Sequence, residues 1–507
     1  MNALKKMVIL SVIVIVVIGV ILFYRGHKPR QLNGEQIELL MYCAAGVKSP
    51  VLAAAQQYEK DYDVRIRMQY GGSGTLLSSL QVAKTGDLYL AGDSSYTDIG
   101  RKKGLLAEVL PVGYLTPVVA VKKGSGVKIN TIEDLLKPGL RLAIGNPDAA
   151  SIGKQTRLVM EKAGLWDKLS AHVTNEGVFK PTVPEIANDV SLGAADAGII
   201  WDATAKQYPD LVAVHLPEFD KVRKQITVAV LKTSKLPTDA LRFARYLNST
   251  VGNAIFKEHG FEPVEGDEWA FNPKIIFFCG SVNRQAMGPV IDRFMKREGC
   301  SITAVYNGCG ILTGQMRSIR QHDNGVGFPD VYMPCDQYYL HTVSDWFQDA
   351  VTISDTKIVI VVQPGNPKGI KDLKDLTRPG IRVSVGQPEQ CTIGALTRIM
   401  LQNAGLWDAV MKNVVTQTAS SSMLVPTVIT KSVDATLAYQ VDTRAEADKL
   451  TVIPIDSKDA QAIEPFAIAK SSRYKYLDRR LLDTVTHARE DFEKLGFNFR
   501  AGNAEAN

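Results

Sequence analysis

The feature that most constrains this chain is that it repeats itself. Residues 137–174 align with residues 378–415 without a gap, and 15 of the 38 positions are identical, well beyond chance. The landmarks keep the same order on both sides. MYCAAG at 41 is matched by FFCGSV at 277, YGGSG at 70 by YNGCG at 306, and GDLYLAGD at 86 by PDVYMPCD at 329. The offsets run from 236 to 243, so only small insertions separate the copies. A unit of ~230 residues is much longer than a solenoid repeat and is long enough for a two-lobed domain of its own.

Within the first unit, short β-rich runs alternate with helical ones. Residues 37–41 and 64–70 read as strands, and 51–62 and 74–85 as helices. Residues 139–145 and 196–201 read as strands, 152–163 as a helix ended by Gly164, and 184–192 as another helix. Such βα alternation predicts an α/β fold with doubly wound sheets. The expected organisation is a first module over 36–270, a linker over 262–274 and a second module over 274–500. A disordered tail is expected over 501–507. The first module should place one lobe at 36–115 and 215–270 and the other between them. The second should do the same with 274–357 and 456–500. The linker EPVEGDEWAFNPK is marked by its polar, Pro- and Gly-bearing composition.

Residues 7–24 form an uncharged run of 18 apolar-rich residues, and at ~1.5 Å per residue they nearly span a bilayer core. No small-residue cleavage site follows, so residues 1–30 are expected to be an uncleaved membrane anchor. Basic residues flank both sides (Lys5 and Lys6; Arg25, Lys28 and Arg30), so charge does not set the orientation. Those five account for most of the formal +6, and the near-neutral remainder argues against a nucleic-acid groove. The six cysteines form no CxxC pair, and the seven histidines show no HxxxH or HExxH spacing, so no zinc site is expected.

Chemistry points to the turns. Residues 44–46, 71–74 and 146–151 each join a strand to a helix through small residues, which leaves backbone N–H groups at helix N-termini free to attract an anion. One such turn is ordinarily only a cap; several on one sheet edge make a crevice for an oxyanion without needing a basic residue. Gly153-Lys154 lacks the preceding glycine of a phosphate loop, and Ser73 lacks the second glycine of a hydrolase elbow. Trp166 and Trp407, in matched AGLWD turns, read as helix-packing residues. Asp87, Asp93, Asp330 and Asp336 read as residues that orient loops.

The runs YCAAGVKSPV, YGGSGTLLSSL, GDLYLAGD, the 147–153 turn and DAGIIWDA resemble, in that order, the periplasmic molybdate-binding proteins of ABC importers. The likeness covers nearly all of 36–270 and again 274–500. It implies two tandem type II periplasmic-binding-protein-like modules with no catalytic activity and no cofactor beyond a bound oxyanion. It further implies an importer permease as partner and a location outside the cytoplasmic membrane. In this family two serines, two backbone amides and a tyrosine enclose the anion. In the first unit these roles fall on Gly46, Ser73, Ile152, Val183 and Trp201, with Gly46 lacking a hydroxyl and Trp201 offering an indole N–H instead of a phenol.

In the second unit the matching positions are Val282, Cys309, Ile393, Val425 and Tyr439, so the tyrosine is kept and both hydroxyl donors are lost. Arg284 stands close enough in sequence to supply charge. Cys309, Cys335 and Cys391 all fall in turns expected to ring this second crevice, either as small buried residues or as a thiol site for a soft metal or a chalcophilic oxyanion. Two other functions compete with transport. One is a membrane-tethered ligand sensor. The other is an enzyme with Cys309 or Cys391 as nucleophile, for which no activating histidine is evident.

Overall fold

The computed structural model describes residues 36–322 and 325–501. The expected anchor at 1–30 and residues 502–507 of the expected tail lie outside them. Among the described residues no helix is long and apolar enough to cross a membrane. The chain divides into two compact units between Trp269 and Ala270.

The first unit has two lobes, each built on its own sheet. One sheet has the strand order Glu262–Pro263, Leu106–Leu115, Lys224–Leu231, Leu88–Ala91, Ile37–Ala44 and Val64–Gly71. Ile37–Ala44 runs parallel to both of its neighbours, and Lys224–Leu231 runs antiparallel to both of its own. The other sheet is ordered Val178–Lys180, Leu142–Gly145, Ala197–Trp201, Pro117–Lys122 and Leu211–Val214. Both sheets are mixed, with antiparallel strands beside the parallel βα strands. The reason is connectivity. A strand that returns from the other lobe, such as Lys224–Leu231, enters from the opposite end and has to pair antiparallel.

The strands pair as their composition dictates. Leu88–Ala91, Leu142–Gly145 and Ala197–Trp201 are continuous apolar runs, buried along their whole length, as central strands covered by helices on both faces should be. Gly139, expected to begin a strand, instead turns with φ +78°, and the strand starts at Leu142. The two lobes meet at Thr116, which separates the strands Leu106–Leu115 and Pro117–Lys122.

The second unit repeats this plan, with one difference at the hinge. Its single strand Phe347–Val362 runs through both lobes, so their sheets join into ten strands. Its first half pairs Gln461–Ala469 and its second half Ala435–Tyr439, both antiparallel. Trp407 opens a helix and packs against this unit's core, while Trp166 carries the Arg157 guanidinium 5.7 Å from its ring centroid.

Residues 262–269, expected to be linker, belong to the body of the first unit. Glu262 and Pro263 pair with Tyr114 and Gly113, and the Trp269 ring sits edge-on to Tyr246 at 4.9 Å and donates its N–H to the Tyr62 hydroxyl at 2.8 Å. Polar composition hid a tryptophan with an aromatic pocket to fill. Ala501, at the start of the expected tail, is likewise buried, and its N–H bonds to Ile353 O.

Candidate functional site

In the first unit the two sheets present the ends of their parallel strands to one cleft. Four helices begin there: Lys48–Tyr62, Ser73–Ala83, Ser151–Lys162 and Val183–Leu192. None of the four has a side-chain cap on its first-turn N–H groups. Their N-cap positions are Val47, Gly72, Ala150 and Thr182, and the Thr182 hydroxyl is turned to Glu185 at 2.6 Å. The next helix along, Ser94–Lys102, is capped in the ordinary way, since Asp93 accepts from the Ser95 N–H at 2.9 Å. A helix N-terminus carries about half a positive charge, and here four of them converge, although in Ser73–Ala83 the Gly74 and Thr75 N–H groups are taken up by Ala149 O.

The four N-termini enclose a small cavity of about 20 Å³, far below the ~300–1,000 Å³ of pockets that take drug-sized ligands. Gly46, Ser73, Val183 and Trp201 line it, as do Gly92, Ser151 and Thr182, and no lining side chain is charged. Ile152, expected to supply an amide, is fully buried one residue inside the helix that Ser151 opens. Ser151 is the residue sequence reasoning missed. The signal available was a hydroxyl in the first position of a helix whose N-cap, Ala150, cannot cap.

Ser73 accepts the Gly92 N–H on Oγ at 3.2 Å, which leaves its own hydroxyl proton for a guest. A Cβ on Gly92 would stand 3.1 Å from Ser151 Oγ and 3.9 Å from Ser73 Oγ, so the bare glycine is what leaves room between the two hydroxyls. Gly46 faces Trp201: a Cβ there would lie 3.6 Å from the indole Cδ1, beside the ring N–H.

The cleft is closed by contacts between lobes. The Gly74 N–H donates to Ala149 O at 2.9 Å, Lys154 Nζ to Ser95 Oγ at 2.8 Å, and Ser49 Oγ to Gln207 Oε1 at 2.8 Å. Gln155 also bonds to the buried Asp93. Asp93 thus has a task beyond the loop orientation expected of it. Asp336, its counterpart, caps its helix through the Tyr338 N–H and also accepts from Ile463 N–H, both at 2.8 Å; burial raises its pKa above the usual carboxylate range.

The second unit places its five positions differently. Val282 and Val425 line an open groove with Ser281, Arg284, Ser422 and Arg444. Cys309, Ile393 and Tyr439 do not line it and are fully buried. Burial pushes the Tyr439 hydroxyl well above its usual range, and the nearby Cys335 and Cys309 add to that. Arg284 lies over the Tyr306 ring at 5.4 Å. Among the described residues no three His, Cys, Asp or Glu side chains could together hold a metal ion, so the soft-metal reading of Cys309, Cys335 and Cys391 loses its geometric basis.

Known proteins match this chain one unit at a time. A putative binding protein of Haemophilus influenzae is 27% identical over 231 residues, which are 46% of this chain and 93% of that protein. The molybdate-binding protein ModA of Escherichia coli is 24% identical over 238 residues, 45% of this chain and 90% of that protein. Among solved structures, the Azotobacter vinelandii periplasmic molybdate-binding protein is 20% identical with a TM-score of 0.39, covering 44% of this chain and 98% of its own. The model of the bacterial extracellular solute-binding proteins matches twice, over residues 39–262 and 275–498. With a two-lobed cleft in each unit and both units matched along almost their whole length, the chain is a tandem member of the bacterial extracellular solute-binding protein family.

Proposed function

We propose that the first unit captures a small tetrahedral oxyanion, molybdate foremost, with tungstate and sulfate as the alternatives, and delivers it to an ABC importer from outside the cytoplasmic membrane. The observation that carries this reading is the small, uncharged cavity ringed by four uncapped helix N-termini. A dianion there is neutralised by oriented N–H groups and by the Ser73 and Ser151 hydroxyls, which suit a compact anion with acceptors in every direction. A cation or an apolar ligand would leave those donors unpaired, at a cost of about 1–3 kcal/mol each. The relatives named as molybdate-binding proteins support the choice of anion. A 37-residue match at 49% identity to a Synechococcus elongatus sulfate-binding protein keeps sulfate in consideration. Residues 1–30 would tether the protein to the membrane, and the permease of the importer is the partner.

Thermal unfolding of the chain with molybdate, tungstate, sulfate, phosphate or chloride tests this. A ligand at ~100 times its dissociation constant stabilises by ~2.7 kcal/mol. Molybdate or tungstate should shift the transition selectively. The shift should vanish when Gly92→Cys is combined with Ala44→Gly, the residues found at the corresponding second-unit positions. If no oxyanion moves the transition, the reading is wrong.

A further inference from the structure

The second unit carries, in place of the serine-lined cavity, a pair of thiols. Cys309 occupies the position of Ser73, and Cys335 that of Gly92. Their sulfurs are 3.4 Å apart, and the Cys335 N–H donates to Cys309 Sγ at 3.2 Å. Room for the second sulfur is made by a compensating exchange. Where the first unit has Ala44 and Gly92, the second has Gly280 and Cys335, and a Cβ on Gly280 would collide with Cys335 Sγ and lie 3.1 Å from Cys309 Sγ. Two small residues have traded places around a sulfur, which is what a built site requires and a chance cysteine does not.

The surroundings differentiate the two thiols. Cys309 opens the helix Cys309–His322, whose N-terminal field favours a thiolate. Burial alone would raise its pKa, but the hydrogen-bonded Cys335 thiol and N–H, with the Thr392 hydroxyl close by, bring it below the ordinary thiol value. The Thr392 and Tyr332 hydroxyls are buried and have no hydrogen-bond partner among the described residues. Cys335, bonded to Cys309 and buried, keeps its proton to well above the usual range. Cys391 stands apart: its Sγ is turned to the carbonyls of Gln387 and Thr418, at 3.6 and 3.5 Å.

We infer that Cys309 and Cys335 form a reversible dithiol–disulfide site in the second unit, oxidised by thiol–disulfide exchange with a dialkyl disulfide. The Cys309 thiolate attacks one sulfur of the disulfide RSSR, making a Cys309–S–S–R bond and releasing RS⁻, which takes up a proton. Cys335 then loses its proton and attacks Cys309 Sγ; the Cys309–Cys335 bond forms and the second RS⁻ leaves as RSH. Two electrons pass from the cysteine pair to RSSR, and two RSH are produced. An S–S bond of about 2.05 Å is within reach of small side-chain rotations from the observed separation. Both sulfurs are buried, so attack requires the lobes of this unit to part, which breaks the bonds from the Gly310 and Ile311 N–H groups to Gln390 O, at 3.0 and 3.2 Å.

The test uses the full chain, reduced and then incubated with excess oxidised glutathione, acid-quenched, alkylated in denaturant and mapped by peptide mass spectrometry. Two of its six thiols should be lost to a single cross-link joining Cys309 to Cys335, restored by a dithiol reductant. Cys335→Ala should instead accumulate the glutathione adduct on Cys309, and Cys309→Ala should give neither product. If Cys335→Ala fails to fold, Cys335→Gly, the first unit's residue at that position, serves in its place. Alkylation of all six thiols in the oxidised wild-type chain, or a cross-link between other cysteines, would overturn the inference.

Discussion

Ser151 and Ser73 approach the cavity from different lobes, and Gly92 keeps the space between them open. A hydroxyl donated to an anion contributes about 1.5–3 kcal/mol, so Ser151→Ala should weaken oxyanion binding about ten- to a hundredfold, read by isothermal calorimetry. The unliganded protein should lose little stability, because the helix it opens buries its apolar face independently of that hydroxyl. Trp201 and Gly46 form a matched pair: the bulky indole reaches the position opposite a residue with no side chain, and only the contact distances reveal this. Ser73 was visible in the sequence because its glycine-flanked turn advertises a strand-to-helix junction. Ser151 was not, because its importance depends on which lobe faces it.

The helices of the first unit explain why the site needs no lysine or arginine. Each of four begins at the cleft without a side-chain cap, while Ser94–Lys102, which is capped by Asp93, begins beside it. The same elements set the closure. Gly74 lies in the first turn of Ser73–Ala83, and its N–H bonds to Ala149 O of the other lobe. A Cβ on Gly74 would collide with Asp148 O, so Gly74→Ala should hold the lobes apart. Oxyanion affinity should fall at least about tenfold, as for the loss of ~1.4 kcal/mol, with unliganded thermal stability nearly unchanged. Small-angle scattering should detect less compaction on adding ligand. Helix and strand spans were largely legible from periodicity. The antiparallel return strands were not, because pairing direction depends on the route the chain takes between lobes.

Each unit of the molecule has its own apolar core and its own sheets, and the break falls between Trp269 and Ala270. Differential calorimetry of the chain should therefore resolve two unfolding transitions. The oxyanion should raise only one of them, since the cavity belongs to the first unit and sulfurs occupy the matching place in the second. One transition moved as a whole would mean that the units unfold as one. The duplication, the α/β character and the two-lobed plan followed from the sequence, because repeats and hydrophobic periodicity are local records of burial. The tertiary structure alone decided that Trp269 ends the first unit instead of lying in a linker. It alone decided that the sheets are mixed, joined only in the second unit, and that one unit holds a cavity where the other holds a sulfur pair. The reason is physical: whether a side chain fills a space or leaves it empty depends on residues far apart in the chain, such as Gly280 against Cys335 and Ala44 against Gly92, whose distances exist only once the lobes have packed.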